Sequence, residues 1–237
     1  MKAMICEMCN SNDLVKQDGM FVCQNCGTKY SVEEAKKLLG TVVVDKTAET
    51  EKLLVLARRA KDNDDSENAA RYYEKILLEE PSSWEASFYS IYFRAKNCTI
   101  ANIDSAAYSV ANCLNSVFSL VYENTPEEEQ LANVKEISER CIVLARDLLT
   151  ATIKTFEKRC NENPYEGTSV EHGRLSREYT LEYKRRLNAC KYLFDNCAEQ
   201  IESVFVGNPQ IQKQAVVVWK AMIPYAMKFD ICNESYY

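Results

Sequence analysis

The chain has 237 residues, with 46% apolar and 27% charged side chains and a net charge of −6. That length and mix fit a soluble globular protein of one or two domains. The acidic balance speaks against a generally basic nucleic-acid or membrane-surface binder. Apolar runs stop at Thr41–Val44 and Val216–Trp219, far short of the roughly 20 residues a membrane span needs.

The first cysteine comes at Cys6, which leaves no room for the apolar core of a signal peptide, so the chain is expected in the cytosol. Thiols are kept reduced there, and 11 cysteines then mean metal ligands or free thiols rather than a disulfide framework.

Residues 1–40 carry the densest signals. Cys6-Glu7-Met8-Cys9 and Cys23-Gln24-Asn25-Cys26 are two Cys-x-x-Cys pairs. The two-residue gap lets one tight turn aim both sulfurs of a pair at one ion. Asn10 and Gly27, which follow the pairs, are residue types that accept left-handed backbone. Between the pairs, Leu14–Gln17 and Met20–Cys23 flank Asp18-Gly19, a two-residue hairpin signal. The hairpin brings the pairs together, and Cys6, Cys9, Cys23 and Cys26 are read as closing one structural, tetrahedral Zn2+ site with no open position. Iron fits the same ligands. Two thioredoxin-like redox pairs are the alternative, but the βαβ setting of that motif is missing. Ser31 and Glu34 form a capping box that opens a short helix ending near Gly40.

From Cys6 to about Tyr30 the spacing and sequence resemble the zinc ribbon of the general transcription factor TFIIB. In that family such ribbons contact polymerase or nucleic acid, and similar ribbons are appended to many unrelated proteins. The resemblance therefore implies a fold more than a function. The remaining residues show no cyclin-like core.

Residues 41–48 read as a linker, and 49–237 as an all-helical domain with helices near 49–62, 66–79, 83–97, 101–122, 127–160, 174–206 and 210–229. Asp62–Ser66 breaks the first pair, and Pro81, Pro126, Pro164 and Pro209 mark helix ends. Apolar stripes run through Leu131, Val134, Ile137, Cys141, Leu144, Leu148 and Ile153, and through Tyr179, Tyr183, Leu187, Cys190, Phe194, Cys197, Ile201 and Phe205. The predicted fold is mostly α: a small zinc ribbon followed by a helical solenoid or bundle.

Thr50 to Pro81 resembles a tetratricopeptide repeat. Leu53, Leu56, Ala57, Ala69, Tyr73 and Pro81 fall at the family's apolar, small, aromatic and closing-proline positions, and Pro81–Ala86 opens a second repeat. Ala60 and Ile76 depart from the pattern, and the later helices are too long for it. The resemblance implies a groove lined by first helices, here Leu54, Arg58, Lys61, Phe88, Tyr92 and Lys96, suited to a protein or peptide segment, including an acidic one. The alternative is that these residues only cover neighbouring helices. The carboxylate-clamp residues of one subtype are not at the matching positions.

Cys141, Cys190 and Cys197 sit on apolar stripes as small hydrophobes. His172, the single histidine, lies in a polar Glu171-His172-Gly173 connection, so no Cys–His catalytic pair is indicated. Arg174, Arg177, Lys184 and Lys191 form a basic stripe with Arg185 and Arg186 beside it. Interleaved Glu178 and Glu182 make it a solvated, self-paired face, with Glu182 bound to Arg186. No phosphate loop, serine elbow or carboxylate dyad appears. The sequence thus reads as a cytoplasmic, non-catalytic, zinc-binding interaction protein, an adaptor or scaffold. The alternative is a nucleic-acid-binding or transcription-related regulator acting through the ribbon and the basic stripe.

Overall fold

The computed structural model describes residues 6–9, 11–17, 19–31, 34, 46–162 and 169–233, with side chains throughout except at 46–48, 169–176 and 230–233. The chain divides into two compact units, Met1–Glu49 and Thr50–Tyr237. It is mostly α, with one small antiparallel sheet near the amino end.

In the first unit, β1 (Leu14–Gln17) and β2 (Met20–Cys23) pair antiparallel with Leu14 opposite Cys23 and Gln17 opposite Met20. Gln17 and Met20 face each other across a two-residue turn, and Gly19 there has φ +79°. Only glycine adopts that angle without a Cβ penalty. A third strand, β3 (Lys29–Tyr30), pairs with β2. At two residues it is too short to carry a sequence period. The capping box is present: the Ser31 N–H donates to Glu34 Oε2 at 2.8 Å and the Glu34 N–H to Ser31 Oγ at 3.1 Å. The rest of the expected 31–39 helix, Asn10, Asp18 and the 41–45 part of the expected linker lie outside the described residues.

The second unit is helical: α1 (Lys46–Asp62), α2 (Ser66–Glu79), α3 (Trp84–Lys96), α4 (Ile103–Asn124), α5 (Glu127–Glu162), α6 (Ser169–Val204), α7 (Pro209–Met222) and α8 (Ala226–Asn233). Helix α1 already begins at Lys46, within the stretch read as linker. The caps explain the breaks. Asp65, Ser83 and Asn208 accept from the N–H groups of Asn68, Ala86 and Ile211, and Pro209 occupies the first turn of α7, where its missing N–H costs nothing.

Two boundaries differ from expectation. Helix α6 starts at Ser169, so the backbone of Glu171, His172 and Gly173 is helical rather than a connection. A helical glycine costs only about 1 kcal/mol, which 36 residues of helix absorb. The single helix expected over 210–229 is interrupted by a 3-10 turn at Ile223–Tyr225, where Pro224 cannot continue the α-helical ladder.

Sequence neighbours pack on one another, α2 on α3 and α3 on α4. Helix α6 then packs against α4, α5, α7 and α8. Five rings fill the first part of the core: Tyr73, Phe88, Tyr89, Tyr92 and Phe93, with centroids 5.1–6.4 Å apart. Leu114, Phe118, Ile137, Leu149, Leu193, Phe194 and Phe205 continue it between α4, α5 and α6. Along α5 the buried positions end at Thr152. Beyond it, Phe156 stacks on Tyr183 at 4.2 Å, Arg159 binds Glu182 at 2.5 Å, and the Arg159 guanidinium lies over the Tyr179 ring.

Candidate metal centre

Two turns and a hairpin make the site. The Cys6 N–H donates to the Ser11 carbonyl at 2.8 Å, and the Cys23 N–H to the Thr28 carbonyl at 2.9 Å. Each knuckle is therefore closed by the same five-residue reach from the first cysteine of its pair. Gly27 takes φ +76°, as its place after the second pair predicted. The Gln24 N–H donates to the Asp13 carbonyl at 2.9 Å and holds the second knuckle against the start of β1.

The result is a cluster of four sulfurs, from Cys6, Cys9, Cys23 and Cys26, all within 4.8 Å of one another. Cys6 and Cys26 Sγ are 3.5 Å apart, and Cys9 and Cys23 Sγ 3.6 Å. A tetrahedron with metal–sulfur bonds of about 2.3 Å has sulfurs about 3.8 Å apart, so the donor set fits a thiolate-bound ion with little adjustment. The four cysteines could hold one metal ion.

The thiols are not equivalent. The Tyr30 hydroxyl, 3.1 Å from Cys6 Sγ, stabilises the thiolate and brings the Cys6 pKa down to about 6. The same contact pushes the Tyr30 hydroxyl up to about 12. The Thr28 hydroxyl, 3.1 Å from Cys26 Sγ, lowers the Cys26 thiol. At Cys9 the Asn25 side chain and the Ser11 N–H favour the thiolate, but loss of solvent and the neighbouring Cys26 and Cys23 thiols outweigh them and raise it to about 11. The metal-free cluster therefore still carries protons at neutral pH, and metal binding must expel them.

Cys6 is depressed in the folded ribbon, so its contribution is present above its unfolded value of 9.0 and is lost as pH falls through about 6. Metal affinity is expected to fall about tenfold or more per pH unit from pH 9 to 6, one proton or more being displaced, and more steeply below 6. Competition with a chromophoric chelator across that range measures it, and an affinity flat with pH would contradict it.

The residues expected to line a groove on the helical unit are divided by the structure. Phe88 and Tyr92 are 0% and 1% exposed and belong to the ring cluster, so they cover neighbouring helices and line no open groove. Their helix faces α2 and α4, and five aromatic rings are more stably buried together than presented to water. Leu54 is partly buried against the same core. Arg58, Lys61 and Lys96 reach the surface as members of ion pairs. Arg58 grips Glu85 at 2.6–3.2 Å, Lys61 binds Glu136 at 2.9 Å and Glu85 at 3.7 Å, and Lys96 pairs with Asp64. Glu85 also accepts from the Tyr73 hydroxyl at 2.7 Å, and Glu136 from the Tyr89 hydroxyl. Burial works against the Glu136 charge, but the Tyr89 hydroxyl and the Lys61 ammonium prevail and keep its carboxyl low.

Sequence reasoning missed Glu85, Glu136 and Tyr30. Glu85 looks like an ordinary first-turn acid, and only the approach of α1 and α2 makes it a buried acceptor.

Of the basic residues on α6, Arg185, Arg186 and Lys191 form ion pairs, and the Arg174 side chain lies outside the described residues. Arg185 pairs with Asp104 at 2.8 Å and Lys191 with Asp195 at 2.6 Å. Arg186 pairs with Glu182 at 3.4 Å as expected, yet it is buried rather than solvated, because α6 is packed on several sides. Cys141, Cys190 and Cys197 are buried, in keeping with their stripes.

A cleft of about 650 Å³ lies along α3 and α4, bordered by Ile91, Ala95, Cys98, Ser105, Ser109 and Cys113. Burial raises the Cys98 thiol and pushes Cys113 up to about 12, so neither is an activated nucleophile. Among the described residues no helix is long and apolar enough to cross a membrane.

No family model, curated protein or solved structure matches the chain.

Proposed function

We propose that the chain is a cytosolic, non-catalytic zinc protein that acts as an adaptor: the cysteine cluster holds one structural Zn2+, and the tetratricopeptide-like helical unit offers a surface to a protein partner. The observation that carries the zinc reading is the sulfur-only donor set at tetrahedral spacing. Four thiolates leave no position for a reacting water, which favours a structural ion over a catalytic one.

The partner surface is the solvent side of α1 and α3. Arg58, bound at the start of α3, has a side chain 56% exposed, and Lys96 is partly exposed at the other end of α3. Val55 and Leu56 are 67% and 41% exposed on the same helix as Arg58. Apolar groups beside cations suit an acidic, partly apolar segment. The net charge of −6 and the burial of Arg186 take support away from nucleic-acid binding.

Two measurements test this reading. Metal analysis is expected to return one zinc per chain. Affinity capture with the full chain is expected to return a protein whose retention drops at least tenfold in an Arg58→Ala/Lys96→Ala variant of unchanged helicity. Equal retention by both, or binding only to nucleic acid in a salt-dependent manner, would overturn the adaptor reading.

A further inference from the structure

Tyr30 sits where the two halves of the cysteine cluster meet. It lies on β3, beyond the second knuckle, yet its hydroxyl reaches back to the first. The oxygen is 3.1 Å from Cys6 Sγ and accepts the Glu7 N–H at 3.2 Å. The Thr28 hydroxyl, by comparison, bonds Cys26 only two residues away and spans nothing. The Tyr30 ring is 7% exposed and packs with Cys6 and Cys23, and with Cys9, Leu14 and Phe21 at the edge. A buried phenol needs partners for both its hydrogen and its lone pairs. Here the lone pair takes the Glu7 N–H, which leaves the hydrogen for the sulfur.

We propose that Tyr30 is the positioning residue of the metal site, a latch that fixes the Cys6 sulfur and the first knuckle in ligating geometry through one hydroxyl. A zinc ion with four thiolates carries a net charge of −2, and an O–H donor to sulfur disperses part of that excess. A single group thus does two things: it orients one ligand and draws charge from it. The inference rests on the metal reading above and names a residue outside the ligand set.

The full chain carrying Tyr30→Phe tests it, since the ring and its packing stay and only the hydroxyl goes. Zn2+ affinity, from chelator competition, is expected to fall about tenfold, within the 10–100-fold range of outer-shell substitutions. The Co2+-loaded variant is expected to show a shifted sulfur-to-metal charge-transfer band, because Cys6 has lost a donor. A purely packing role would leave that band in place.

Thr28→Val serves as the comparison, expected to cost less affinity because it releases no link between knuckles. Wild-type affinity and spectrum in Tyr30→Phe, with loss only in Tyr30→Ala, would overturn the latch and assign Tyr30 to packing. A wild-type chain that binds neither Zn2+ nor Co2+ would instead sink the metal reading itself.

Discussion

Cys23→Ser is expected to abolish stoichiometric metal binding and to unfold Cys6–Tyr30, while the melting temperature of the helical unit stays within about a degree of wild type. The reason lies in the small core of the ribbon: among the described residues the buried side chains of the first unit are Cys6, Cys23 and Tyr30, with Cys9, Leu14 and Phe21 partly covered. Its strands are four, four and two residues long. Chains of this size bury too little apolar surface to offset their conformational entropy, and zinc fingers draw on about 10–16 kcal/mol of metal binding to fold.

Cys23 is the most informative ligand to remove. Its sulfur lies in the cluster, its N–H closes the second knuckle, and its carbonyl receives the Gly27 N–H at 2.8 Å. A serine keeps the two backbone bonds and deletes only the thiolate. Amide exchange resolved by segment, together with metal content, measures the outcome. Retained metal with protected Leu14–Tyr30 amides in the variant would refute a metal-dependent ribbon.

The second large effect belongs to the helical unit. Glu85→Ala is expected to destabilise it by about 2–3 kcal/mol, the usual consequence of leaving a buried donor without its charged acceptor. The Glu85 side chain is 9% exposed and receives Arg58, Tyr73 and, at longer range, Lys61. Its loss leaves the Tyr73 hydroxyl, on a fully buried ring, without the acceptor. Arg58 is half in solvent and can rehydrate, so Arg58→Ala is expected to cost about 1 kcal/mol or less. For a unit of this size about 2–4 °C of melting temperature goes with each kcal/mol. Thermal unfolding should therefore fall by about 4–12 °C for Glu85→Ala and by a few degrees at most for Arg58→Ala. Similar small losses in both variants would show that the carboxylate is not the hub of the network.

Much of this architecture was legible in the residues because local chemistry and tertiary structure agree. Asp65, Ser83 and Pro209 begin helices where capping chemistry places them, and Cys-x-x-Cys spacing brings four sulfurs together as expected. Ala57, Ala69 and Tyr73, read as the small and aromatic positions of a repeat, are fully buried. Leu56, read as an apolar repeat position, is 41% exposed.

What the sequence hid depends on contacts distant along the chain. Phe88 and Tyr92 have the spacing of a groove face and of a core face alike, and only the packing of α3 between α2 and α4 decides. Glu136 meets Lys61 across 75 positions of sequence. Tyr30 lies too near the last cysteine to stand out, and its value appears only once Cys6 is folded back against it.

The uneven lengths of α4, α5 and α6 carry a consequence of their own. Helices of 36 residues extend about 54 Å, whereas the 22 residues of α4 reach about 33 Å. Past Thr152 the α5–α6 pair runs on as a two-helix arm, joined at the edge of the core by the Phe156–Tyr183 ring stack and beyond it by the Arg159–Glu182 ion pair. Such an arm frays from its far end inward, in steps that do not engage the body of the unit. Cooperativity is then graded along the molecule: one end yields to small fluctuations while the α4–α5–α6 interior holds until the whole unit gives way.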